Sequence, residues 1–226
     1  MKFIAVITAR KGSKGIKNKN TIKINNIPLV EYTFKALSKS ILKKNCFVLT
    51  DSNKIKIIAK KYSINTDYVR PASTSTDNSS SISTLKHFSK WYLKKDDYDA
   101  MILLQPTSPL RNSEDINKSI KIFKDKNVDS LFSISKHLEH PYNAINFRKK
   151  PKLKFLIEKR KKFFKRQDYD VDSYFHNGAI FIMTKKLIMK NKIFNISNHG
   201  FYIMPKLRSI ELDENEDIEI IKKLLR

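Results

Sequence analysis

The sequence predicts an α/β fold, a mostly parallel sheet flanked by helices, and three features predict it. Apolar runs of strand length recur at Lys2–Thr8, Cys46–Thr50, Ala100–Leu104 and Ser130–Ile134. Segments of about 10–15 residues with apolar beats at helical spacing lie between them. The chain has 226 residues, enough for one domain or one domain plus a small lobe. Parallel neighbours need crossover connections, and helices between strands supply them.

Lys2–Thr8 is a strand because Phe3 to Ile7 form an unbroken apolar run before a Gly-containing loop. Pro28 opens a helix carrying Leu29, Val30, Phe34 and Leu37, since proline is tolerated in a first turn. Cys46–Thr50 follows, and Asp51 or Ser52 caps a helix carrying Ile55, Ile58 and Ala59. A brief strand is expected at Asp67–Val69. The Ser/Thr-rich stretch 73–83 runs into a helix through Leu85, Phe88, Trp91 and Leu93. Ala100–Leu104 ends at Gln105-Pro106, Ser113-Glu114-Asp115 starts a helix through Phe123, and Ser130–Ile134 is the next strand. The rhythm then breaks. Arg148–Arg166 holds 11 basic residues and one acid, so 135–172 is expected to be a lobe inserted in a single 1–226 domain. Asn177–Met183 resumes the sheet, Phe201–Met204 adds a short strand, and Asp213–Leu225 closes as an amphipathic helix.

The charge is strongly basic, 46 Lys+Arg against 22 Asp+Glu for a net +24. That raises the possibility of a nucleic-acid or membrane-surface partner. The 38 lysines, however, come with 29 isoleucines and 18 asparagines, residues that share AT-rich codons. Coding bias therefore accounts for much of the charge. The aromatics fall at core-like spacing, not interleaved with basic residues as a nucleic-acid face requires. No apolar run reaches 18 residues and Met1–Thr8 is too short for a signal peptide, so a cytoplasmic protein without a membrane span is expected. The one cysteine, Cys46, excludes an intramolecular disulfide and a cysteine-based zinc cluster. Beside Phe47, Val48 and Leu49 it is expected to be a buried strand thiol.

Five constellations carry possible chemistry. Ala9-Arg10-Lys11-Gly12-Ser13-Lys14-Gly15 follows the first strand, with Lys17, Lys19 and Asn20 beyond it. Glycines let a ligand approach, and backbone N–H groups with Arg and Lys cradle phosphates. It matches neither the Walker A nor the dinucleotide pattern. A flexible surface turn is the plain alternative, and the place at a strand end favours phosphate. Arg70-Pro71-Ala72 precedes Asp77-Asn78-Ser79-Ser80-Ser81, where ordinary helix N-capping suffices unless context says otherwise. Leu103–Arg111 reads LLQPTSPLR, two prolines stiffening a loop that presents Gln105. Arg166-Gln167-Asp168 through Asn177-Gly178-Ala179-Ile180 is the fourth. Ser209-Ile210-Glu211-Leu212-Asp213 is the fifth. Acids at i and i+2 of an extended segment share a face and can hold Mg²⁺. Alone, that pair reads first as an N-cap for the last helix.

Taken in order, these motifs with Pro28–Thr33, Thr50–Ser52 and His140–Tyr142 resemble the acylneuraminate cytidylyltransferase family across nearly the whole chain. The resemblance implies a Rossmann-like nucleotidyltransferase domain whose extension serves a homodimer. It implies transfer of CMP from CTP to a nonulosonic acid with Mg²⁺ and release of pyrophosphate. By the same resemblance, Ala9, Arg10, Gly12, Ser13, Lys14, Lys19 and Asn20 hold the nucleotide, its phosphates above all. Arg70, Ser79, Ser80 and Ser81 reach the base and ribose. Gln105, Arg166 and Asn177 stand at the sugar, and Glu211 and Asp213 at the metal. Arg10, Lys14, Lys19 and Asp213 would act in catalysis. Two positions depart from the family: glutamate replaces the first metal aspartate at 211, and Phe175 stands where classical sialic acid enzymes carry arginine. The alternatives are CTP with a shorter keto-acid sugar, GTP with a sugar phosphate, or a basic nucleic-acid-binding protein.

Overall fold

Six strands form one sheet, and their order brings the loops quoted above to one end of it. The computed structural model describes residues 1–12, 15–74, 80–146, 154–157, 165, 167, 169, 171–193, 195 and 197–225. In chain order the described elements are β1 (Phe3–Thr8), β2 (Lys23–Ile24), β3 (Ile27–Pro28), α1 (Leu29–Ser38), β4 (Cys46–Leu49), α2 (Asn53–Lys60), α3 (Ser81–Tyr92), β5 (Ala100–Leu104), α4 (Ser113–Asp125), β6 (Ser130–Lys136), β7 (Ile145–Asn146), β8 (Lys154–Phe155), β9 (Tyr174–Thr184), α5 (Lys185–Met189), β10 (His199–Ile203) and α6 (Asn215–Leu224).

The sheet order is β10-β6-β9-β5-β1-β4. β1 runs parallel to β4 and β5, and β10 parallel to β6. β9 alone runs antiparallel, between β5 and β6. Its first residues therefore meet the carboxyl ends of the parallel strands, the edge where open α/β sheets bind ligands. β7 and β8 form a two-stranded antiparallel pair apart from this sheet, within the expected inserted lobe.

Both faces of the sheet are covered, which is why β1, β4 and β5 read as continuous apolar runs. One core joins Ala5, Ile7, Val48, Ile102 and Ile182 to Val30, Phe34, Ile55, Ile116, Ile120 and Phe123 from α1, α2 and α4. The other joins Ile4, Val6, Leu49 and Met101 to Leu85, Phe88 and Tyr92 of α3 and Ile188 of α5. Cys46 is buried as expected, and burial pushes its thiol up to about 11.

Three expectations need correction. Asp67–Val69 is not a strand. Among the described residues an isolated bridge joins Phe47 to Asn65, and Tyr68 is instead buried against Phe88 and Trp91 of α3. The strand expected at Phe201–Met204 begins earlier, at His199, where it pairs with Ser130. The last helix starts at Asn215, not Asp213. Its N-cap is Glu214, locked in a capping box with Asp217.

Candidate active site

The loop after β1 is tied down from three sides. The Ala9 amide donates to the Leu49 carbonyl at 3.1 Å, and the Lys11 amide to the Asp51 carboxylate at 2.6 Å. The Asn20 side chain reaches back and donates to the Arg10 carbonyl at 3.0 Å, closing the loop on itself. A side-chain carbon added at Gly12 would meet nothing within 4 Å, so the backbone there is open to approach. Ser13 and Lys14 lie outside the described residues, as do Ser79 and Arg166.

The Ser209–Asp213 segment packs directly against this loop. Ile16 from the loop, Ile24, Leu29, Leu212 and Ile221 of α6 form a small core of their own beneath it. Lys19 donates to the Leu212 carbonyl at 2.9 Å and to the Asp213 carboxylate at 3.2 Å. Asp213 is exposed and, with Glu214 serving as the cap, does not cap α6. The helix-capping explanation for this acid thus gives way to an ion pair with the basic loop.

Glu211 is held by two pieces of sequence distant from it. The Thr107 hydroxyl of LLQPTSPLR donates to its Oε1 at 2.5 Å. The Thr107 carbonyl accepts from the Leu212 amide at 2.8 Å, so one residue clamps the segment twice. Gly178 has a φ of +67°, and a Cβ there would lie 2.8 Å and 3.0 Å from the two Glu211 carboxylate oxygens. Only glycine fits that position without moving the carboxylate. Burial pushes the Glu211 carboxyl above its ordinary pKa. The Thr107 hydrogen bond opposes that rise, Asp213 reinforces it, and Lys19 opposes it.

These features fit a hard divalent cation. The donors are two carboxylates, one in a cradle that a Cβ would fill, and an ammonium already sits as a cation against the other. Among the described residues no group of three or more His, Cys, Asp or Glu gathers as a metal cluster, here or elsewhere, so the protein would supply only these two carboxylates. A two-carboxylate site matches the habit of Mg²⁺, which takes its other ligands from water and substrate phosphate.

The loop presenting Gln105 is fixed by Arg111, which is 2% exposed. Its guanidinium donates to the Gln105 carbonyl at 3.1 Å, the Ala179 carbonyl at 2.8 Å and the Thr33 hydroxyl at 2.7 Å. Burial lowers its pKa to about 10, with Asp115 opposing. Asp115, fully buried, is in turn bonded by Arg208 at 2.8 Å, which anchors the turn leading to Ser209.

Asn177, expected at the sugar, turns its side chain into the protein. It is 1% exposed, its oxygen accepts from Ser133 at 2.6 Å, and its amide donates to Ser209 at 2.9 Å. It braces the floor under the Ser209–Asp213 segment, and its side-chain oxygen and nitrogen are both taken by protein partners. Arg70 is also largely buried. It donates to the Thr74 carbonyl and approaches Thr84, shaping the entry to α3. Burial lowers its pKa first, Asp51 and Tyr68 oppose, and Arg10 adds to the lowering, which places Arg70 in the electrostatic field of the β1 loop. Ser80 caps α3 by accepting from the Ser83 amide at 3.2 Å, as the capping explanation required, and Ser81 is exposed in the first turn.

A cavity of about 360 Å³ opens beside the acids, bounded by the end of β6, the start of β9 and the 206–213 segment. Glu211, Asp213, Phe175 and Lys206 all line it. A second cavity of about 400 Å³, lined by His137, His140, Tyr169 and Asp172, shares only Lys136 with the first and includes neither acid.

The sequence profile of the family described as Cytidylyltransferase matches residues 4–224. The chain belongs to that family. The chain is 32% identical to the N-acylneuraminate cytidylyltransferase of Escherichia coli over 97% of its own length, and it spans 51%, about half, of that relative. It is 30% identical to the CMP-N,N'-diacetyllegionaminic acid synthase of Legionella pneumophila, covering all of this chain and 97% of the relative. A solved CMP:2-keto-3-deoxy-manno-octonic acid synthetase complexed with CTP shares the fold. It has a TM-score of 0.71 at 14% identity, with 100% of this chain and 98% of that one covered. The chain therefore shares the mostly parallel α/β fold of that synthetase. Among its described residues no helix is long and apolar enough to cross a membrane.

Thr107, Arg111 and Gly178 were not singled out as site residues from the sequence alone. Each lies inside a quoted motif, so the signal that could have found them was position within LLQPTSPLR and NGAIFI.

Proposed function

We propose that this protein transfers CMP from CTP to the anomeric hydroxyl of a nonulosonic acid, releasing pyrophosphate. The observation that carries this is the Lys19–Asp213 contact of 3.2 Å, which joins the basic loop after β1 to the acidic pair. A nucleotide triphosphate needs both kinds of group at one place: cations for its oxygens and carboxylates for its metal. Arg10, Lys19 and the loop amides would bind the phosphates, with Ser13 and Lys14 in the same loop. Arg70 and the start of α3 would face the base and ribose. Gln105, held by Arg111, would meet the sugar together with Arg166.

In the reaction the sugar hydroxyl oxygen attacks the α-phosphorus in line. The bond from the α-phosphorus to the oxygen bridging to the β-phosphate breaks, pyrophosphate leaves with that electron pair, and the hydroxyl proton is released to water. The protein contributes mainly position and charge. Lys19 offsets negative charge on the leaving group. Glu211, oriented by Thr107 and Gly178, and Asp213 would hold Mg²⁺. When bound, Mg²⁺ neutralises phosphate oxygens and favours the nucleophilic hydroxyl.

Product formation from CTP and a panel of nonulosonic acids with Mg²⁺ tests the proposal, and no CMP-sugar from any of them would sink it. Asp213→Ala should lower the rate at least about tenfold. Cytoplasmic location and a homodimer built through the 135–172 lobe belong to the same proposal, and sedimentation of the full chain checks the dimer. CTP with a shorter keto-acid sugar is the second reading, supported by the shared fold of the octonic acid synthetase.

A further inference from the structure

Two stretches of chain meet at the acidic pair, and one buried carboxylate holds both. Asp115 is fully buried in the first turn of α4. Four donors converge on it. Its Oδ2 accepts from the Asn112 amide at 3.0 Å and from Arg208 Nε at 3.0 Å. Its Oδ1 accepts from Arg208 Nη2 at 2.8 Å and from the Tyr202 hydroxyl of β10 at 2.8 Å. Asn112 follows directly on LLQPTSPLR, and Arg208 stands directly before Ser209. The same carboxylate therefore grips the loop that carries Thr107 and the segment that carries Glu211 and Asp213.

Further along, the Asn177 amide holds Ser209 at 2.9 Å and the Thr107 carbonyl holds the Leu212 amide at 2.8 Å. Those are single neutral bonds. The grip on Arg208 is charged and two-pronged, and a planar guanidinium on a carboxylate fixes orientation as well as distance. Burying an ion pair adds little stability, because desolvation offsets the attraction. What this one supplies is geometry. We propose that Asp115 is a positioning residue for the metal site: through Arg208 it fixes where Glu211 and Asp213 stand relative to the Thr107 loop, and so how tightly the pair takes Mg²⁺. The inference rests on the activity proposed above.

The test uses the full chain and a pair of readouts. The first is amide hydrogen exchange without nucleotide or metal. Asp115→Asn keeps an oxygen for Asn112 and Tyr202 and removes the charge that Arg208 grips. It should speed exchange in peptides covering 209–213 and leave β1 and β5 at parent rates. The second is the Mg²⁺ concentration, in excess of saturating CTP, that gives half the maximal rate. Asp115→Asn should raise it about tenfold or more, the usual effect of losing a group that orients a metal ligand. Saturating Mg²⁺ should restore most of kcat. Arg208→Lys keeps the cation without the fork, should move both readouts the same way by less, and decides the matter if Asp115→Asn does not fold. Ile188→Val, which trims the core beneath α5, should lower stability and leave the Mg²⁺ requirement at the parent value. Exchange at 209–213 unmoved, or raised equally in β1 and β5, would overturn the inference. So would a Mg²⁺ requirement unmoved in Asp115→Asn, or raised as much by Ile188→Val. A parent that turns over no acceptor would overturn the proposed function instead, and the exchange readout alone then decides whether Asp115 places the pair.

Discussion

Replacing Gly178 with alanine separates two costs at the acidic pair. The first is backbone. At a φ of +67°, an L side chain costs about 1–2 kcal/mol in the left-handed region. The second is the carboxylate. The new Cβ would stand 2.8 Å and 3.0 Å from the Glu211 oxygens, so the side chain must swing away and give up the Thr107 hydroxyl. A hydrogen bond to a charged group contributes about 1.5–3 kcal/mol. Together these give about 2.5–5 kcal/mol, or a fall in Tm of roughly 5–20 °C for a chain of this size. The assay is thermal or urea unfolding of a double-mutant cycle with Glu211→Ala. In that background the carboxylate is gone, and alanine at 178 should cost only the backbone part, a coupling of about 1.5–3 kcal/mol. Costs that add to within about 0.5 kcal/mol would refute the claim that Gly178 exists to seat Glu211.

Other expectations follow from the same geometry. Lys19→Gln should raise the KM for CTP about tenfold or more, the loss of a charge-assisted contact, yet tighten Mn²⁺ binding to the nucleotide-free protein because Asp213 is released; paramagnetic titration reads the second effect. Arg111→Met should destabilise by about 1–3 kcal/mol for each buried acceptor left without a donor, the Gln105 and Ala179 carbonyls first, read by urea unfolding. Glu211 has a raised pKa in the fold, so its favourable contribution is full below the ordinary Glu value of about 4.3 and is lost as pH rises through the raised one. Glu211→Gln, which keeps an acceptor for Thr107, should therefore raise the metal-free Tm at pH 8 and converge on the parent near about pH 4.

The sheet was legible because its strands are buried on both faces and announce themselves as unbroken apolar runs. Helix starts were legible where a single side chain caps them, as Ser52 does for α2. Asp67–Val69 failed because three extended residues around one buried aromatic look like a strand whether or not a neighbour pairs with them. Asp213 was ambiguous because an acid before a helix is a cap in most sequences, and the capping box one residue later, Glu214 with Asp217, decides otherwise only in three dimensions. The site itself was legible as motifs but not as contacts. Thr107 and Glu211 are 104 positions apart, and nothing local couples them. Asn177 was hard to place for the opposite reason. Its motif was read as facing ligand, while its amide is consumed by Ser133 and Ser209.

The central claim is that the basic loop and the acidic pair meet to activate CTP toward a sugar acid. The most direct test is phosphorus NMR of the purified protein with CTP, Mg²⁺ and a panel of nonulosonic acids. Pyrophosphate and a CMP-sugar phosphodiester appearing together, only with CTP and at least tenfold more slowly in Asp213→Ala, is the predicted result. CTP left intact with every acceptor, or equal turnover of another nucleotide, would contradict it.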